Sequence, residues 1–94
     1  MSPIAFDLAR PWALDPHIAL RPEPFGALAY DFTTRRLSFL KTRALLEVVR
    51  TLGEHGSARD ACVAAGIPDE ELPRYADALA ALAKTGMVRP RETS

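Results

Sequence analysis

The sequence lacks the features that mark secreted, disulfide-stapled or membrane-spanning proteins. It contains a single cysteine, Cys62, so no disulfide can form within the chain, and an oxidised, cysteine-rich scaffold is excluded. No run of about 20 apolar residues, the length that a membrane-spanning helix needs, occurs in the chain. Residues 1–16 carry Asp7 and Asp15 and no apolar stretch of signal-peptide length. We therefore expect a cytoplasmic protein without a membrane partner.

Residues suited to catalysis or metal binding are also scarce. The two histidines, His17 and His55, and the one cysteine do not lie at the short spacings that zinc ligands use. His55 and Cys62 are seven residues apart, but the glycines at 53 and 56 interrupt the helix that would place both on one face. We therefore interpret Cys62 as a small buried residue. With no glycine-rich phosphate loop either, the sequence predicts no catalytic residues, no metal and no cofactor, and so no enzyme.

Apolar material is present in the amount that one small domain needs. Hydrophobic residues make up 48% of the chain and charged residues 26%, which is typical of globular proteins. Prolines at 3, 11 and 16 predict an irregular N-terminal arm over residues 1–16, with Trp12 as its anchor on the body. Residues 17–90 are then expected to form the domain, and residues 91–94 a polar tail.

Residues 17–41 follow the period of two that is typical of strands. Ile18 begins the first predicted strand, and Leu28, Tyr30 and Phe32 alternate with small or polar residues in the second. A turn at residues 33–35 leads into a third strand over residues 36–40. The pattern predicts a three-stranded antiparallel meander, which needs cover on its apolar face. Tyr30 and Phe32 are expected to pack in the core beneath that cover.

After the third strand the apolar period becomes helical. Thr42 can cap a first helix, in which Leu45 and Val49 share one stripe. Ser57 begins a second helix, and the acids at residues 69–71 suit the positive N-terminal end of a third. Three strands followed by three helices predict an α+β fold with a winged-helix-like shape.

That shape invites the alternative of a winged-helix DNA-binding transcription regulator. In this class the second helix of a helix-turn-helix lies in the major groove and presents basic or amide side chains to the bases. The third predicted helix instead carries acids at residues 69–71 and Asp77, against Arg74 and Lys84. The chain as a whole has no net charge, because 12 basic and 12 acidic residues cancel. Nucleic acid is therefore not an expected partner.

The third predicted strand suggests peptide binding. A peptide can extend a sheet by pairing with an edge strand, and prolines at 16, 22 and 24 limit such pairing on the first strand but not on the third. Residues 33–43 also hold four basic residues and no acid, which favours an acidic ligand with spaced apolar residues. The alternative is that these charges only protect the edge from aggregation. The predicted peptide-binding residues, from this strand and the third helix, are Arg35, Arg36, Leu37, Ser38, Phe39, Leu40, Lys41, Arg74, Tyr75, Ala78 and Leu82.

Three segments also carry a family resemblance. The chain resembles the mycofactocin biosynthesis peptide chaperones in "LRPEPFGALAYDFTTRRLSFLKTRALLEVVR", "ACVAAGI" and "LARPW". It is more distantly similar to the pyrroloquinoline quinone peptide chaperone and to other precursor-peptide recognition elements, over residues 6–90. The resemblance implies a non-catalytic chaperone that holds the leader of a ribosomally made precursor peptide against residues 36–40 and 74–82. It further implies presentation of that precursor to a radical S-adenosylmethionine maturase.

Overall fold

A computed structural model describes residues 6–91 as a mixed α+β domain. The fold class is the one that the sequence predicts, with a three-stranded antiparallel sheet followed by three helices. Residues 1–5 of the predicted arm and residues 92–94 of the predicted tail lie outside the described residues. The strands and helices are β1 (Trp12–Leu14), β2 (Ile18–Glu23), β3 (Gly26–Asp31), β4 (Leu37–Leu40), α1 (Arg43–Thr51), α2 (Ala58–Ala64), α3 (Leu72–Lys84) and β5 (Val88–Pro90). The winged-helix-like shape stays a prediction.

The main sheet has the strand order β2-β3-β4, with antiparallel pairing throughout. Ala27 lies opposite Leu40 and Ala29 lies opposite Ser38 across β3 and β4. Ala27, Ala29 and Leu40 are buried, and α1 packs against β3 on this side. Small side chains at 27 and 29 let the helix approach the sheet closely. We call this side the inner face of the sheet and the opposite side its outer face.

The first two helices begin at the residues that local sequence predicts. Thr42 accepts a hydrogen bond from the Leu45 N–H at 3.0 Å through its side chain, and Ser57 accepts one from the Asp60 N–H at 3.1 Å. Each cap satisfies a backbone donor that the first turn of a helix leaves unpaired. Within α3, Pro73 stands in the first turn, where its missing N–H removes no helical hydrogen bond.

The expectation of a wholly irregular arm is wrong for residues 12–14. These residues form β1 and pair antiparallel with β5, so that Trp12 lies opposite Pro90. Trp12 is 1% exposed, and its indole N–H donates to the Asp7 carbonyl at 2.8 Å. The Arg91 side chain extends the link, because it donates to the carbonyls of Gly53 and His55. A strand whose partner lies about 75 residues away along the chain leaves no local pattern to detect.

The expectation that Tyr30 and Phe32 pack beneath the helices is also wrong. They alternate with the buried Ala27 and Ala29, so they face the outer side of the sheet. Phe32 is 65% exposed, and its ring meets that of Tyr30 edge-on at 5.1 Å between centroids.

Among residues 6–91, no helix has both the length and the apolarity to cross a lipid bilayer.

Candidate functional site

The turn between β3 and β4 is organised by the side chain of Asp31. Its Oδ1 atom accepts hydrogen bonds from the Thr33 N–H at 2.8 Å, the Thr33 hydroxyl at 2.6 Å and the Thr34 N–H at 3.2 Å. Arg35 closes the turn with a φ of 61°, in the left-handed region that non-glycine residues rarely adopt. The Asp31 N–H then donates to the Arg36 carbonyl at 2.9 Å. One carboxylate thus sets where β4 begins.

Acid is expected to weaken this turn through Asp31. The Thr33 hydroxyl, followed by the backbone N–H groups of Thr33 and Thr34, holds the pKa of the Asp31 carboxyl below its usual value of 3.8. A lowered folded-state pKa adds stability that is complete above about pH 3.8 and is lost as the pH falls through the folded-state pKa. Asp31→Asn should therefore be less stable than wild type at pH 7, and the difference should close in strong acid. Urea unfolding from pH 7 downwards measures this, and a difference that does not change with pH would contradict it.

The outer edge of β4 has no strand partner among the described residues, because β4 pairs with β3 alone. The Arg36 carbonyl accepts from β3, and a Cβ added at Gly26, where β3 begins, would meet the Leu40 carbonyl oxygen. Carbonyls 36 and 40 therefore face β3. Because backbone groups alternate in direction along an antiparallel strand, those of Leu37 and Phe39 face the open edge.

The opposite edge of the sheet, on β2, is less suited to pairing. The Phe32 N–H donates to the His17 carbonyl at 3.1 Å, so the backbone groups of His17 face β3. Because these groups alternate in direction along the strand, those of Pro22 face outward, away from β3. Proline has no N–H to donate, so this edge is interrupted near the C-terminal end of β2. Of the two edges of the main sheet, β4 is the one with continuous backbone donors.

A groove of about 720 Å³ runs between β4 and α3. Eight of the eleven predicted peptide-binding residues line it: Ser38, Phe39, Leu40, Lys41, Arg74, Tyr75, Ala78 and Leu82. The other three, Arg35, Arg36 and Leu37, do not. Their role as peptide contacts stays a prediction, as does that of the eight that line the groove.

Six further residues line the groove, and the sequence does not predict them as peptide-binding. They are Thr42, Leu45, Glu71, Asp77, Ala81 and Thr85. Four of them, Glu71, Asp77, Ala81 and Thr85, lie on α3 or at its two ends, each three or four residues from a predicted α3 residue, which is the spacing of one helix face. That spacing is the signal that could have found them. The other two, Thr42 and Leu45, are the N-cap and a first-turn residue of α1, which follows β4 closely in the chain.

The groove is shaped for an extended, mainly apolar segment. Leu40, Leu45 and Leu82 are buried and supply its apolar floor. The Thr42 hydroxyl lies 3.4 Å from the Tyr75 hydroxyl, which links the end of β4 to α3. Phe39, on the rim, is 62% exposed. An extended peptide beside β4 would have backbone partners on one side and apolar contacts beneath it.

Positive charge stands at both ends of β4. Arg35 and Arg36 precede the strand, Lys41 and Arg43 follow it, and all four are exposed. None of them makes an ion pair within the part of the chain that the structure describes. The α3 wall is mixed, since its acids at 71 and 77 lie near Arg74. Among residues 6–91, the unpaired positive charge around the groove is therefore concentrated at the two ends of β4.

The histidines and the cysteine lie apart from the groove lining. Cys62 is buried in α2, and burial raises the pKa of its thiol, which disfavours the nucleophilic thiolate. His17 lies 3.0 Å from the Asp15 carboxylate at the surface. Over residues 6–91, no three acidic, histidine or cysteine side chains gather in a way that could hold a metal ion. The groove itself presents apolar and charged groups suited to binding.

Comparison with known proteins gives a consistent set of relatives. Residues 11–89 match the model of the peptide chaperone MftB family. The chain is 53% identical over 88 residues to the peptide chaperone MftB of Mycobacterium ulcerans, covering 94% of this chain and 81% of that protein. It is 51% identical over 89 residues to the Mycobacterium tuberculosis protein of the same name, covering 95% and 82%. It is 48% identical over 87 residues to that of Mycolicibacterium smegmatis, covering 93% and 85%. No solved structure matches the chain.

Proposed function

The chain belongs to the peptide chaperone MftB family, and on that basis we propose that it is a non-catalytic peptide chaperone of mycofactocin biosynthesis. It binds the leader segment of a ribosomally made precursor peptide as an added strand. The observation that carries this proposal is the unpartnered outer edge of β4, which faces a groove walled by α3. Strand addition needs these two features side by side.

The leader pairs with the outward backbone groups of Leu37 and Phe39. Each N–H and C=O at the open edge gives one rung of a ladder, and the side chains of the leader alternate above and below it. Those on the inner face enter the groove over Leu45 and Leu82. Backbone bonding is tolerant of sequence, so side-chain contacts and charge supply the selection.

The chaperone presents the C-terminal end of the precursor to a radical S-adenosylmethionine maturase, which carries its own iron-sulfur chemistry. The family resemblance supports this role. A leader held by its own segment, with the rest of the precursor left free, allows a second protein to reach the part that is modified. Binding and catalysis are thus divided between two proteins.

Leader binding is expected to weaken as salt rises, because exposed charges at the ends of β4 select an acidic ligand. An exposed ion pair contributes about 0.2–1 kcal/mol. The four basic residues together should make binding about tenfold weaker at high salt than at low salt. Titration calorimetry of a synthetic leader at the two salt concentrations measures this change.

A matched pair of variants separates the effect of the charges beside β4 from the effect of an exposed charge elsewhere on the protein. The double variant Arg35→Gln with Arg36→Gln should reduce the salt dependence by about half, because Lys41 and Arg43 remain. Arg50→Gln removes an exposed arginine that pairs with Glu47 on α1, and should leave the dependence intact. If the affinity of the wild type did not change with salt, the basic residues beside β4 would not contribute to specificity. No binding heat at either salt concentration would contradict the chaperone proposal itself.

A further inference from the structure

The outer face of the main sheet carries aromatic and aliphatic side chains that nothing among residues 6–91 covers. Four of its residues, counting the turn that leads into β3, are large, apolar and exposed: Phe25 at 48%, Phe32 at 65%, Leu37 at 52% and Phe39 at 62%. Exposed apolar residues that cluster, in contrast to single ones, mark surfaces that contact something. The groove with α3 is lined instead by side chains of the inner face and by Phe39.

Two of these residues stand where an added strand has to pass. Leu37 and Phe39 belong to β4, their backbone groups face its open edge, and their side chains lie on the outer face, across from Tyr30 and Leu28 of β3. A strand paired with β4 places every second side chain on that same face. Such a side chain would lie about 5 Å from its neighbour on β4, within contact distance. The outer face therefore meets half of the side chains of any ligand that binds by strand addition.

The aromatic surface beside Phe39 extends past the end of β4. The Phe25 ring, from the turn between β2 and β3, lies 6.1 Å from the Phe39 ring, centroid to centroid. The two rings give an apolar platform next to the free edge. The basic residues Arg36 and Lys41 bracket the four residues of β4, one on each side. Along the edge, one basic residue therefore lies on each side of an apolar stretch.

We propose that the captured segment is apolar on both faces over about the length of β4, and acidic on both sides of that stretch; the inference rests on strand addition as the binding mode. Inward side chains of the segment fill the groove, and outward side chains cover Phe39 and Phe25. Phe39 is thus a specificity-determining residue, because it separates a segment with apolar residues at every position from one with apolar residues at every second position. A merely amphipathic strand would satisfy the groove and leave Phe39 exposed.

Two short synthetic peptides test this inference. Both are capped and acidic at each end, and both have a central segment as long as β4. One has valine or leucine at every central position, and the other has serine at every second position. Because an alternating peptide can shift its register to put its apolar residues in the groove, only the outer-face contacts distinguish the two. Fluorescence anisotropy should show the wild type binding the fully apolar peptide at least about tenfold more tightly.

The variants Phe39→Ser and Phe32→Ser form a matched pair, since both phenylalanines are exposed on the outer face but Phe32 does not lie on β4. Phe39→Ser should lose most of the preference for the fully apolar peptide, and Phe32→Ser should keep the wild-type preference. Circular dichroism checks that both variants fold, and Leu37→Ser is a second variant on the same edge. Equal binding of the two peptides by the wild type, or a preference that survives undiminished in Phe39→Ser, would overturn the inference and leave strand addition standing. No binding of either peptide would overturn both.

Discussion

Replacing Phe39 with proline is expected to weaken leader binding by at least about 100-fold, which corresponds to about 2.7 kcal/mol. The Phe39 N–H faces the open edge of β4, so proline removes a donor from the ladder that the leader would form. The carbonyl left without a partner on the leader costs about 1–3 kcal/mol. The proline ring also occupies space that the incoming strand needs. Titration calorimetry against a synthetic leader measures the loss.

The fold should tolerate this change, because the Phe39 N–H makes no bond to β3 and edge strands accept proline where the N–H faces solvent. A thermal melt checks the fold of the variant. Phe39→Ala is the matched control, since it removes the ring but keeps the N–H, and it should weaken binding by about tenfold at most. Equal binding by the proline and alanine variants would show that the backbone of β4 takes no part. Strand addition would then be wrong, whatever the family relationship.

Gly26→Ala is expected to destabilise the domain by about 3 kcal/mol or more, the upper end of the range for steric overpacking. A Cβ at this position would overlap the Leu40 carbonyl oxygen and lie 2.9 Å from the Thr42 N atom. Both are backbone atoms and cannot turn aside as a flexible side chain can. Gly26 also has a φ of 158°, which side chains rarely adopt. Since a small domain has a total stability of about 5 kcal/mol or slightly more, much of it would be lost.

Gly53→Ala is the control for this change. A Cβ at Gly53 would meet the Ala13 Cβ at 3.8 Å, an ordinary contact distance. Its effect on the free energy of unfolding should stay within about 0.5 kcal/mol. Urea unfolding of the two variants beside wild type measures both values. Similar losses at the two glycines would mean that the close approach of Gly26 to the end of β4 does not limit the fold.

Local sequence predicts the elements whose signals are complete within a few residues. The caps at Thr42 and Ser57 are of this kind, because a hydroxyl three residues before its N–H partner forms the cap without help from the rest of the chain. The order of three strands and three helices follows from apolar period alone. The candidate edge on β4 can be predicted for a similar reason, because Pro22, which interrupts β2, and the prolines on either side of that strand are visible in the sequence.

Features that depend on distant residues are not predictable in this way. A period of two divides β3 into two faces but does not say which one the helices cover. The larger side chains of Tyr30 and Phe32 suggest that the helices cover their face of β3. In the structure α1 instead packs closely against the face of Ala27 and Ala29. The pairing of β1 with β5 and the groove residues on α3 depend in the same way on contacts across the fold.

Because β4 is anchored at its two ends, most of the conformational entropy lost on binding should be lost by the ligand. The Asp31 turn holds the start of the strand, and the contact of Gly26 with Leu40 holds its end. A receptor strand fixed in this way loses little conformational freedom when a ligand arrives. Nearly all of the ordering is then borne by the peptide, at about 1–2 kcal/mol for each residue that becomes extended. Leaders already stiffened by β-branched residues should for that reason be the better ligands.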